Sequence, residues 1–248
     1  VAARFRIAES LHKRGNRSAA IAAFNDFVKR YRTADPNLTI QAQLHIAELT
    51  AEVGNKPRAY ILYGSVTSTY RELGGPSLAL HGRDAAGEAA LRAIEPEAAA
   101  LKAIKVTGSG RLATKLTKLS TLETEYGEVA DFNSPRWTIA AYYTFGRLCE
   151  DTARELTSTP AVGSTPGQRA EFRDKLQTEA GPIMERAVSY YKKAVQLSHQ
   201  SRLYPDETKL AIGRWAGLIP GGSATDPERV KKTLVTSDSE WIGPIAVF

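Results

Sequence analysis

The chain has 248 residues, 42% hydrophobic and 24% charged, an ordinary folded composition that allows one elongated domain or two compact ones. Its net charge of +6 is spread thinly: Lys and Arg stand 11 against 6 acids in residues 1–74, 7 against 8 in 75–133, 10 against 7 in 134–205 and 5 against 6 in 206–248, without the one-sided basic face of a nucleic-acid binder. Cys149 is the only cysteine, which excludes an internal disulfide and a thiolate metal site, and no run of about 18 apolar residues predicts a membrane span.

A helix is expected from Ala2 to Arg14, with Phe5, Ile7, Ala8 and Leu11 at helical spacing. Gly15-Asn16 supplies a turn, and a second helix carries Ala20, Ile21, Phe24, Phe27, Val28 and Tyr31 on one face. Asp35-Pro36 ends this pair, because a residue before proline avoids helical geometry. The unit then returns after 39 residues: Ile7-Ala8-Glu9, Gly15-Asn16, Ala20, Phe24 and Tyr31 become Ile46-Ala47-Glu48, Gly54-Asn55, Ala59, Tyr63 and Tyr70. The second copy reads as Ile40–Val53 and Pro57–Leu73, and Leu73-Gly74-Gly75-Pro76 breaks the pattern.

Residues 84–105 are Ala-rich and helical, with an interruption expected at Glu95-Pro96, and Gly108-Ser109-Gly110 reads as a turn. Arg111–Tyr126 is a further helix with Leu112, Leu116, Leu119 and Leu122 facing a core. Beyond it, Tyr142-x-x-Phe145-Gly146-x-x-Cys149 and Ala187-x-x-x-Tyr191-x-x-Ala194 look like the two halves of one hairpin. Gly146 and Ala187 lie 41 residues apart, against the 12 that separate Ala8 from Ala20, so roughly 29 inserted residues centred on Thr157–Gly167 split the hairpin. Ile212-Gly213 opens one more helix, and residues 219–248 lack periodicity and read as a tail. The segments expected are therefore 1–73, two regular hairpins; 77–133, irregular helices; 134–218, an interrupted hairpin and a helix; and the tail 219–248.

The order of small residue, Gly turn, Ala and aromatic resembles the tetratricopeptide repeat, whose period is about 34 residues. The resemblance covers residues 3–73 well and 137–216 in part. It implies an all-α superhelical solenoid of antiparallel helical hairpins, ending in an irregular C-terminal tail. The longer period, together with the Trp137–Gly146 helix and its interrupted repeat, is similar to tetratricopeptide proteins of deltaproteobacterial cell envelopes, those of gliding-motility machinery among them. That likeness implies a non-catalytic scaffold holding protein partners in an envelope complex, periplasmic or bound to the outer membrane. A cytosolic peptide-binding adaptor is the alternative. Val1 is not an initiator Met, so a processed chain is expected, with any signal sequence or lipid anchor lying upstream.

In the family, first helices line a concave groove that selects the ligand. The matching positions here are Arg6, Glu9, Lys13, His45, Glu48 and Glu52, and in the interrupted repeat Tyr143, Arg147 and Glu150. The family's carboxylate clamp of Lys and Asn is replaced by Phe5 with Glu9 and by Leu44 with Glu48, so that ligand is not implied. Arg111, Lys115 and Lys118 line one helical face, either a solvated face or a basic stripe for nucleic acid or an acidic partner. Val106–Arg111 lacks phosphate-loop spacing, and His12, His45, His81 and His199 lack metal-ligand spacing. Cys149 falls on a buried stripe, so no catalytic residue, metal or cofactor is expected.

Overall fold

Asn16 and Asn55 do the same local work one repeat apart. The Asn16 side chain accepts the Ala19 N–H at 3.2 Å, and that of Asn55 accepts the Arg58 N–H at 3.3 Å, each capping a helix start. The preceding Gly15 and Gly54 hold φ of +76° and +92°, a region that costs glycine nothing. Asp35 caps the intervening helix through the Leu38 N–H at 3.1 Å, with Pro36 in the first turn. That helix thus begins at Pro36, ahead of the Ile40 start read from its apolar pattern.

The computed structural model describes residues 1–218, all-helical with no strand among them, so the expected tail at 219–248 lies outside the described residues. Nine α-helices occupy the described residues: α1 Ala2–Lys13, α2 Arg17–Tyr31, α3 Pro36–Glu52, α4 Lys56–Glu72, α5 Leu80–Ala103, α6 Ser109–Glu128, α7 Pro135–Ser158, α8 Pro166–Ser201 and α9 Asp206–Leu218. None is long and apolar enough to cross a membrane. Each helix packs on the next, and the odd-numbered helices also form a row in which α1 meets α3, α3 meets α5, α5 meets α7 and α7 meets α9. Glycine permits two of these approaches: a Cβ on Gly82 would lie 2.5 Å from the Asn37 side chain of α3, and one on Gly87 3.1 Å from Trp137 of α7.

The core is correspondingly chained. One apolar cluster joins α1, α2 and α3, a second joins α3, α4 and α5, and a third runs from α5 to α9. The small residues of the repeat, Ala8, Ala20, Ala47 and Ala59, are all buried, with Phe24 and Tyr63 beside them. Ile46 is buried against the preceding hairpin, whereas its counterpart Ile7 is exposed.

Three further expected boundaries change. α5 runs unbroken through Glu95-Pro96, because Ile94 and Leu101 on either side are buried in one cluster and packing outweighs the hydrogen bond that proline removes. Ser109 and Gly110 belong to the first turn of α6, not to a separate turn. α9 starts at Asp206, well before Ile212. The two segments expected as halves of one interrupted hairpin lie on α7 and α8, which pack together with only residues 159–165 between them. Leu148, Ala153 and Leu156 of the α7 extension share a cluster with Phe172, Leu176 and Ile183 of the α8 extension.

Candidate partner-binding surface

The expected groove residues follow the odd-numbered row, and the structure divides them. Arg6 and Lys13 are exposed, and Glu9 is half-buried on α1. His45 lies over Phe24 with ring centroids 5.1 Å apart, and its Nδ1 is 2.9 Å from Glu48 Oε2. Glu52 accepts from Arg17 Nε at 2.7 Å and sits 3.6 Å from His12 Nε2, tying α3 back to the first hairpin. The Arg17 hydrogen bond holds its carboxyl below the usual range.

The α7 residues differ. Tyr143 is buried against Tyr191, and Glu150 is 1% exposed. Glu150 accepts from Tyr191 Oη at 2.6 Å, Arg154 at 2.6 Å and Arg214 at 3.3 Å. Its carboxylate is thereby consumed inside the fold, joining α7, α8 and α9, and of the three expected α7 positions only Arg147 is exposed. Burial and the Glu150 hydrogen bond push the Tyr191 hydroxyl well up, so it stays a donor.

The basic stripe is also corrected. Lys115 is 1% exposed, on the same side of α6 as Leu112, Leu119 and Leu122. Its Nζ donates to the Ile104 carbonyl at 2.9 Å and to Glu155 at 2.6 Å, pinning the end of α5 to α7. Lys118 pairs with Glu97, and Arg111 alone of the three is an exposed cation. A buried, hydrogen-bonded lysine among leucines is neither a solvated face nor a phosphate contact.

Several groups join the row that the sequence reading passed over. Glu88 and Arg92 of α5 lie 3.7 Å apart, and Arg92 also pairs with Glu95 at 3.1 Å. Arg136 of α7 grips Glu207 of α9 at 2.9 and 3.3 Å and lies over the Trp137 ring. The Glu88-x-x-x-Arg92-x-x-Glu95 spacing was legible, but by itself it does not stand apart from ordinary surface charge on a helix. Together His45, Glu48, Glu88, Arg92 and Arg136 make a charged seam across α3, α5 and α7.

Glu88 is the electrostatically costly member. Burial, then the charge of Glu48, pushes its carboxyl up to about 7, against the pull of Arg92, Arg136 and His45. A carboxyl with a raised folded pKa binds more protons folded than unfolded, so its contribution falls as pH rises from about 4.5 to about 7. Glu88→Gln is expected to stabilise the protein by about 1–2 kcal/mol near pH 8, roughly 4 °C in Tm, once screening of a partly exposed side chain is allowed for. Near pH 4.5 the gain should shrink below about 1 °C, since the carboxyl is then protonated in the fold. Thermal unfolding of both proteins at the two pH values reads this, and equal gains would rule out Glu88 as the titrating group.

Burial raises the Cys149 thiol to about 12, so it is a packing residue and not a thiolate nucleophile. No protein-family model matches the chain, and no curated protein matches it.

Proposed function

We propose that this chain is a non-catalytic scaffold of tetratricopeptide-like hairpins that holds protein partners within a multiprotein bacterial envelope complex. The observation that carries this reading is the row of odd-numbered helices. It presents a charged seam drawn from α3, α5 and α7, wider than any one hairpin could supply. A surface assembled from successive hairpins suits an extended protein segment, because each hairpin adds contacts without changing its neighbours' packing. The tie of Gly146 to Ala187 and Tyr191 across α7 and α8 supports treating that hairpin as one repeat lengthened by an insertion. The envelope setting rests on the sequence resemblance to envelope tetratricopeptide proteins.

Crosslinking with mass spectrometry in native cells is expected to recover specific protein partners joined near α1, α3 and α5. Glu48→Lys should lower that recovery about tenfold, an effect of about 1.4 kcal/mol. Tm should change little, because loss of the His45–Glu48 pair is offset by the new cation facing Glu88. Absence of any specific protein partner would sink the scaffold reading.

A further inference from the structure

Away from the charged seam, the start of α5, the turn before α7 and the C-terminal half of α8 enclose an open cleft of about 590 Å³. Leu80, Ala130 and Leu197 form its apolar part, while Arg83, Asn133 and Lys193 supply polar groups, and among the described residues no carboxylate lines it. This distinguishes it from the seam, where Arg92 and Arg136 each have an acid beside them.

Neither cation here has an ion-pair partner among the described residues. Lys193 Nζ lies 4.3 Å from the Tyr190 ring centroid and 5.9 Å from that of Tyr142, so aromatic faces hold it. The Arg83 Nε is buried without an acceptor, leaving that donor of the guanidinium unspent. Asn133 and Gln200 bring amide groups that match the donor and acceptor of a peptide unit.

We infer that this cleft receives an acidic peptide segment of a partner protein, with Arg83 and Lys193 taking its carboxylates and Asn133 and Gln200 its backbone. The inference rests on the scaffold reading only in taking the ligand to be protein. It places a second contact on residues other than those of the seam.

The test uses the full chain and fluorescein-labelled hexaglutamate amide, followed by fluorescence anisotropy at low salt. Saturable binding is expected, weakened about tenfold by Arg83→Gln and by Lys193→Gln, and unchanged by Arg111→Gln, which removes an exposed cation elsewhere. Lys193 is exposed, so its variant reads the site even if the Arg83 variant fails to fold. An equal loss with Arg111→Gln would make the binding diffuse attraction and overturn the assignment. Displacement by tripolyphosphate as readily as by unlabelled hexaglutamate would overturn the peptide reading in favour of a simple anion site. Failure of hexaglutamate to bind while cellular crosslinks persist would overturn the cleft and leave the scaffold standing; binding without cellular partners would do the reverse.

Discussion

Gly146→Val is expected to lower the stability of the chain by about 4 kcal/mol, a fall of roughly 10 °C in Tm. A Cβ at position 146 would sit 2.8 Å from Cε1 and 2.9 Å from Cδ1 of Tyr191, and 3.3 Å from the Ala187 carbonyl oxygen. The ring has no easy retreat, because its hydroxyl is held at 2.6 Å by Glu150 and Tyr191 is fully buried. Valine adds two methyl groups to that collision, and α7 must then part from α8 along the packing that unites the interrupted repeat. Alanine should already be destabilising, since the clash outweighs the roughly 1 kcal/mol by which it improves on glycine in a helix. Circular dichroism melts of Gly146→Ala, Tyr191→Leu and the double variant would locate the cause. The pair should be strongly non-additive, with the double variant more stable than the sum of the single losses. Additive losses would mean that the glycine matters for something other than the tyrosine ring.

Glu150→Ala is the second large effect, about 3–4 kcal/mol or roughly 10 °C in Tm. The substitution removes the common acceptor of Tyr191, Arg154 and Arg214. Tyr191 Oη is then left buried without a partner, and both arginines lose their anion. Glu150→Gln should cost about 1–2 kcal/mol, because the amide oxygen can still accept from the tyrosine while the charge is lost. Binding by the folded fraction should be unchanged in both, since a carboxylate that is 1% exposed offers a partner nothing. Thermal melts beside partner recovery separate the two roles. A large loss of binding with an unchanged Tm would return Glu150 to the groove.

The two effects share a cause that the sequence only half displays. Tyr142-x-x-Phe145-Gly146 and Ala187-x-x-x-Tyr191 are readable as a glycine facing an alanine and a ring, and their 41-residue separation is readable as an interrupted hairpin. The structure puts Gly146 against Ala187 and Tyr191. Glu150 lies four residues beyond Gly146, on a helix whose family role suggested an outward, groove-facing charge. Its fate depends on Arg214, 64 residues away on α9, and no local pattern announces that pairing. Lys115 is the same lesson in a leucine-rich helix: a period-of-four spacing with Arg111 suggested a shared face, but Glu155 and the Ile104 carbonyl draw it inward.

By itself the sequence determined the helical class, the Gly-Asn turns after α1 and α3, and the 39-residue recurrence of the first two hairpins. These are short-range matters: an Asn cap, a Gly turn and apolar spacing act within about one or two helical turns. Tertiary structure alone decided which charges face a partner and which are used up in the fold. It ran α5 through Pro96, buried Lys115 and Glu150, and gathered Glu88, Arg92 and Arg136 into a seam. The physical reason is that a charged side chain takes its role from what lies within a few ångströms of it. In a chain of stacked hairpins, that neighbour is commonly forty or more residues away.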